Sequence, residues 1–115
     1  METLDIILAP AAQRELKKLE RREQETVVKV LDELSINPRP RGVEKIQGNP
    51  KFFRVLAGKN HRVIYHVFQD RIIVILVIRD RKDAYRSLGD LDGKLATALH
   101  AIEKEAVQQL RAATR

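Results

Sequence analysis

A chain of 115 residues is long enough for one globular domain, and with 43% hydrophobic and 33% charged residues it is too apolar to be disordered. The absence of cysteine excludes disulfide bonds and thiolate metal sites. Lysine and arginine outnumber aspartate and glutamate by 22 to 16, an excess that favours nucleic acid or an acidic protein segment as the partner.

The N-terminal part of the sequence predicts a strand followed by two helices. Residues 3–8 read as a short apolar strand, and Pro10 suits the first position of a helix that continues to about Arg22. Residues 37–42 (NPRPRG) end the second helix, because proline cannot continue it. The apolar stripe of this second helix recurs at i, i+3, i+4 and i+7 and consists of Val27, Val30, Leu31 and Leu34.

Three strands are predicted in the middle of the chain, over residues 52–57, 62–68 and 72–78. Their linkers, AGKN and QD, are short, so the strands should form an antiparallel meander. The last strand, IIVILVI, is apolar at every position, which requires cover on both faces of the sheet.

The C-terminal segment predicts an amphipathic helix of about twenty residues. Its apolar positions recur at steps of three and four: Leu91, Leu95, Leu99, Ile102, Ala106 and Leu110. This helix either folds back over the open face of the sheet or packs on a second copy of the protein. The predicted class is α+β, a small antiparallel sheet (the N-terminal strand plus the meander) with the helical hairpin on one face and the C-terminal helix in addition.

Four segments in this order resemble the RelE/ParE superfamily of bacterial toxins from type II toxin–antitoxin systems: LAPAAQRELKKL, LSINPRPRGVEKIQG, FFRVLAGKNHRVIYHV and RDRKDAYR. The RVIY and RKDAYR pieces are the more specific ones. The resemblance assigns a toxin domain to residues 1–88 and leaves 89–115 as a C-terminal helical extension of the same domain. It implies that a cognate antitoxin protein wraps and silences this chain.

Within that superfamily, RelE-like members cut mRNA in the ribosomal A site without metal. The chemistry needs a base for the ribose 2′-OH, cations for the charged transition state and an acid for the leaving oxygen. By position, Arg62 matches the arginine of the R-[VLI]-[VI]-Y motif and Arg54 a basic strand residue. Arg81, or Arg79 in its place, and Tyr85 match the terminal arginine and tyrosine. The resemblance therefore implies a catalytic set of Arg54, Arg62, Arg81 and Tyr85, and an RNA-binding set of Lys51, Lys59, His61, Arg79 and Lys82.

Two functions stay open at this point. One is a ribosome-dependent mRNA endoribonuclease that inhibits translation. The other is a ParE-like inhibitor of DNA gyrase without nuclease activity, favoured by Leu56 where RelE has a second basic residue and by Asp80 where many relatives have histidine. A degenerate toxin whose own tail helix blocks the site is a third reading. A purely structural role for Arg62 is an ion pair with Asp70 or Asp80.

Neither a metal nor another cofactor is expected. His61 and His66 are five apart on one strand, so they point to opposite faces and cannot share a metal ion. No apolar run reaches the roughly 18 residues of a membrane span, and the N-terminus lacks the basic start of a signal peptide, so a cytoplasmic location is expected. The expected partners are the antitoxin, mRNA and the ribosome, with a homodimer or a heterotetramer with antitoxin as assemblies that stay open.

Overall fold

The structure, a computed structural model, describes residues 3–80 and 88–113. Within these residues the chain forms five strands and three helices, which confirms the α+β class. In chain order they are β1 (Asp5–Leu8), α1 (Pro10–Lys18), α2 (Arg21–Ile36), β2 (Glu44–Ile46), β3 (Asn49–Ala57), β4 (His61–Phe68), β5 (Arg71–Arg79) and α3 (Leu91–Ala113).

The strands form one sheet in the order β1-β5-β4-β3-β2. The antiparallel meander of β3, β4 and β5 is confirmed. Two details differ from the prediction: β1 runs parallel to β5, and the short strand β2 adds to the free edge of β3. The first follows from the connection, because the helical hairpin carries the chain across the sheet to its opposite edge before the meander begins. The second carried no sequence signal, because β2 is only three residues long and two of them are charged.

The boundary between the two helices of the hairpin lies earlier in the chain than predicted. Helix α1 ends at Lys18, Leu19 and Glu20 are extended, and Arg22 belongs to the first turn of α2. The Gln24 side-chain amide donates to the Leu16 carbonyl at 2.9 Å, which satisfies a carbonyl in the last turn of α1. Arg22 consequently lies beside the sheet rather than at the end of α1.

Both faces of β5 are covered, as its uninterrupted apolar sequence requires. On one face, α1 and α2 pack through Ala12, Val27, Leu31 and Leu34 against alternate residues of the meander. On this face the Tyr65 hydroxyl donates to the Pro38 carbonyl at 2.6 Å and so fixes the NPRPRG loop.

Helix α3 folds back over the other face of the sheet, but only with its first half. Leu91, Leu95 and Ala98 are buried against a cluster that includes Phe52, Ile64, Ile73 and Ile75. Every residue from 103 to 113 is exposed. In the part of the chain that the structure describes, no helix is long and apolar enough to cross a membrane.

Candidate functional site

The register of β3 and β4 decides which predicted site residues can act together. Three residues form the turn between these strands, and Ala57 lies opposite His61. Arg54 then lies opposite Ile64, and Leu56 opposite Arg62. Arg54 and Arg62 therefore share the α3 side of the sheet as diagonal neighbours, a spacing that long side chains can bridge.

Each of these two arginines has a carboxylate partner. The Arg54 Nε–H donates to Glu44 Oε2 at 3.0 Å, and Arg54 Nη2 contacts the same oxygen. The Arg62 Nε–H donates to Asp80 Oδ1 at 3.1 Å. Both arginine side chains are partly buried, with exposed fractions of 27% and 23%. Of the two acids proposed from sequence as partners of Arg62, the structure selects Asp80.

The electrostatics of this face follow from the same contacts. The hydrogen bond from Arg54 holds the pKa of Glu44 below its usual value, and the charges of Arg54 and, to a smaller extent, Arg62 act in the same direction. Leu56 lies between the two ion pairs with 42% of its surface exposed. The face thus combines two oriented guanidinium groups with one apolar side chain.

Asp80 also terminates the sheet. Its backbone N–H donates to the Asn60 carbonyl at 2.7 Å, which extends the pairing of β4 and β5 by one step beyond Arg79. The end of β5 is therefore fixed beside Arg62. Three predicted residues that follow it, Arg81, Lys82 and Tyr85, lie outside the described residues.

The other predicted RNA-binding residues do not join Arg54 and Arg62. Lys51 contacts Asp92 in the first turn of α3. Asp92 also accepts a hydrogen bond from the Asn49 side-chain amide at 3.3 Å. Lys51 therefore helps to hold α3 against the sheet. His61 and Arg79 are paired across β4 and β5 one position from Arg62. Because neighbouring residues of a strand point to opposite faces, they lie on the α2 side.

On the α2 side, Lys59 lies in the β3–β4 turn and His61 is buried beside the helix. The His61 Nε2 atom lies 3.1 Å from Glu23 Oε2. Sequence reasoning missed Glu23, Arg22 and Glu44. Arg22 was assigned to the wrong helix, and Glu44 lies on the strand that carried no signal.

Tyr65, the tyrosine of the RVIY motif, is a structural residue. It is fully buried, and burial raises its pKa to about 12, against a smaller lowering effect of Arg39. It therefore stays protonated near neutral pH and serves as a hydrogen-bond donor to the loop. Within residues 3–80 and 88–113, no group of three or more histidine and carboxylate side chains is placed to hold a metal ion.

A comparison of the sequence with models of known protein families identifies one family. A family model described as the ParE toxin of type II toxin–antitoxin systems, parDE, matches residues 6–85. No curated protein matches the chain. The archaeal RelE–RelB complex from Pyrococcus horikoshii contains a similar chain with a TM-score of 0.61 and 22% identity, over 70% of this chain and 98% of the other.

Two further solved structures have the same fold. The isolated RelE toxin of E. coli matches with a TM-score of 0.59 and 22% identity, over 93% of this chain and 98% of that one. The toxin–antitoxin complex RelBE2 from Mycobacterium tuberculosis contains a chain that matches with a TM-score of 0.59 and 21% identity, over 67% of this chain and 98% of that one. At these identities the similarity establishes the fold and not the reaction.

Proposed function

The chain belongs to the ParE toxin family of type II toxin–antitoxin systems, and we propose that this toxin inhibits translation by cutting mRNA on the ribosome. The observation that carries the proposal is the register of β3 and β4. It brings Arg54 and Arg62 to one face, beside the end of β5 that leads into Arg81 and Tyr85. Arginine and tyrosine side chains of this kind can supply the cations and the base that metal-independent RNA cleavage needs, and this supports the proposal.

In this reaction the ribose 2′-OH attacks the neighbouring phosphorus and the 5′-oxygen leaves, giving a 2′,3′-cyclic phosphate and a 5′-hydroxyl. Arg62 and Arg54 stabilise the charge that develops on the phosphate oxygens. Tyr85 acts as the base or orients the attacking hydroxyl, and Arg81 holds the phosphate or protonates the leaving oxygen.

The ion pair between Arg62 and Asp80 is compatible with this role. A guanidinium has five N–H groups, and Asp80 accepts from the one on Nε. Within residues 3–80 and 88–113 the two Nη atoms make no hydrogen bond, so their N–H groups can donate to a phosphate while the carboxylate fixes the plane of the guanidinium. Asp80 is in this view a positioning residue for Arg62.

We further propose that a cognate antitoxin binds and silences this toxin. The support is that similar chains from P. horikoshii and M. tuberculosis were solved as toxin–antitoxin complexes. We also propose that the toxin domain spans residues 1–88 and that 89–115 is an extension of it. The family match ends at residue 85 and α3 begins at Leu91, which supports this division.

A second candidate function is inhibition of DNA gyrase. It is favoured by the neutralisation of Arg54 and Arg62 by carboxylates and by the exposed Leu56 between them. A face of balanced charge around an apolar centre suits a protein partner better than a bare phosphate.

The test is mapping of mRNA ends by primer extension in a translating extract that contains the purified toxin. Arg62→Ala and Tyr85→Phe are compared with wild type, and Lys29→Ala, on an exposed face of α2, is the matched control. The proposal predicts cuts within the A-site codon for wild type and the control, and none for the two variants. Intact mRNA with the folded wild-type protein, together with loss of gyrase supercoiling in a parallel assay, would replace it by the second candidate.

A further inference from the structure

Two adjoining pockets open on the α2 side of the sheet, at the end where β3 turns into β4. Their volumes are about 390 and 220 Å³, and Glu23 and Asn60 line both. We call them together the α2 groove. Its main lining residues are Arg22, Glu23, Lys59, Asn60, His61 and Arg79.

Three cations of the α2 groove have no partner within the described part of the chain. The side chains of Arg22, Lys59 and Arg79 are exposed and make neither an ion pair nor a hydrogen bond there. This distinguishes them from Arg54 and Arg62, which are both paired on the α3 side. Unpaired guanidinium groups can offer two parallel N–H bonds to one anion.

Two carboxylates also line the α2 groove, those of Glu23 and Asp80. Asp80 accepts from Arg62, and Glu23 Oε2 lies 3.1 Å from His61 Nε2. The His61 side chain is only 5% exposed, and within residues 3–80 and 88–113 its Nε2 makes no hydrogen bond despite the contact with Glu23. The groove therefore has a buried polar atom with unused hydrogen-bonding capacity, and its lining has three cations against two carboxylates, an excess of one positive charge.

The first turn of α2 adds to this excess. The residue before the helix, Glu20, makes no side-chain hydrogen bond to the first turn, so no capping side chain satisfies the N–H groups there. The start of a sixteen-residue helix also carries partial positive charge, of which Glu23 in the same turn offsets a part. Gly58 allows the β3–β4 turn to lie close to this helix, because any side chain at its position would place a Cβ 2.9 Å from Thr26 Cγ2.

We propose that the α2 groove binds a phosphate group, on the face of the sheet opposite to Arg62. Arg22 and Arg79 donate paired N–H bonds to it, Lys59 supplies a third charge, and the N-terminus of α2 completes the field. The pockets are large enough for a phosphate and its ester oxygens. This binding site goes beyond the proposed cleavage reaction and does not depend on it, since no residue of the groove is asked to take part in chemistry.

The test is isothermal titration calorimetry of the full chain with two probes, sodium pyrophosphate and a twelve-nucleotide single-stranded RNA. The double variant Arg79→Gln/Lys59→Gln should bind about tenfold more weakly or worse, because it loses two charged hydrogen-bond donors. Arg71→Gln, at the opposite end of β5, is the matched control and should bind like wild type.

Each outcome decides the proposal. Weakening of both probes in the double variant supports a site for any phosphate, and weakening of RNA with no pyrophosphate binding by wild type supports a site for the nucleic-acid backbone. For RNA, the slope of log K against log salt should become shallower by roughly 0.7 for each phosphate that the variant no longer neutralises. Unchanged binding in the double variant, or no binding of either probe by wild type, overturns the proposal. If the double variant does not fold, the single variant Arg22→Gln at an exposed helix position makes the same comparison.

Discussion

The two sides of the sheet at the β3–β4 end differ in whether their basic side chains have ion-pair partners. On the α3 side, Arg54 and Arg62 are partly buried and each is held by a carboxylate. On the α2 side, Arg22, Lys59 and Arg79 are exposed and have no partner within the described residues.

The difference indicates different tasks. An ion-paired guanidinium has a fixed orientation, which suits a group that must meet a transition state in one geometry. An exposed, unpaired cation attracts an anion from solution and has its N–H groups free to donate to it, which suits binding and association. This difference supports the two proposals, cleavage on the α3 side and phosphate binding on the α2 side.

Among single substitutions, Gly58→Ala is expected to have the largest effect on stability, because the β3–β4 turn between the two sides packs against α2 at Gly58. It has a φ of +66°, and a Cβ there would meet Thr26 at 2.9 Å. Gly58→Ala should lower the free energy of unfolding in urea by about 3 kcal/mol, since it adds this overlap to backbone strain. Gly42→Ala is the control: φ is +88° but nothing lies within 4 Å, so about 1 kcal/mol is expected. Equal losses would mean that the turn does not depend on its contact with α2.

A pH titration separates the structural tyrosine from the proposed catalytic one. In Tyr85→Phe only Tyr65 remains, and its absorbance at 295 nm should change with a midpoint near pH 12. Below pH 10 both folded and unfolded chains keep this proton. Between pH 10 and about 12 only the unfolded chain loses it, so stability should fall as pH rises, by no more than about 2.7 kcal/mol.

The variant Tyr65→Phe reports on Tyr85 alone. In Tyr65→Phe the remaining absorbance belongs to Tyr85, and a midpoint below the ordinary value of about 10 would support arginines around it. A midpoint at or above 10 would contradict its use as a base.

Asp80 tests whether the carboxylate positions Arg62. Asp80→Ala should lower the rate of mRNA cleavage about tenfold, because the guanidinium loses its fixed plane, and Asp80→Asn should lower it less because its amide oxygen still accepts from Nε. Asp70→Asn, in the exposed β4–β5 turn, should have no effect. Faster cleavage in Asp80→Ala would show that the carboxylate instead competes with phosphate.

The smallest effect is expected from shortening α3. A stop after Ile102 removes residues 103–113, all of them exposed, together with two residues outside the described part of the chain, so the melting temperature should change by less than about 2 °C and cleavage should not change. A stop after Leu88 should unfold the chain, since it uncovers the cluster packed under Leu91 and Leu95. Increased cleavage after the first truncation would favour a tail that blocks the site.

The meander and the burial of β5 could be predicted from sequence, because short linkers and an unbroken apolar run leave few alternatives. The distribution of the basic residues over the two faces of the sheet could not be predicted from sequence. Arg62 and Arg79 are close along the sheet, but the pairing of His61 with Arg79 sends Arg79 to the opposite face. That assignment needs the register, which the AGKN linker permits in more than one form.

Carboxylate partners were harder still to predict. Glu44 reaches Arg54 only because β2 pairs with β3, and nothing local in EKI indicates a strand. Asp80 was identifiable because it directly follows β5 on the strand next to Arg62. A long-range ion pair can be predicted from sequence only where both partners lie on or next to strands that the sequence itself predicts.

The most direct test of the division between the two sides is single-turnover mRNA cleavage on programmed ribosomes, measured against toxin concentration. Arg62→Gln should lower the maximal rate about a hundredfold or more and leave the half-saturating concentration nearly unchanged. Arg79→Gln/Lys59→Gln should raise the half-saturating concentration about tenfold and leave the maximal rate unchanged. If both variants change the same parameter, the two sides do not have separate tasks and the proposed division is wrong.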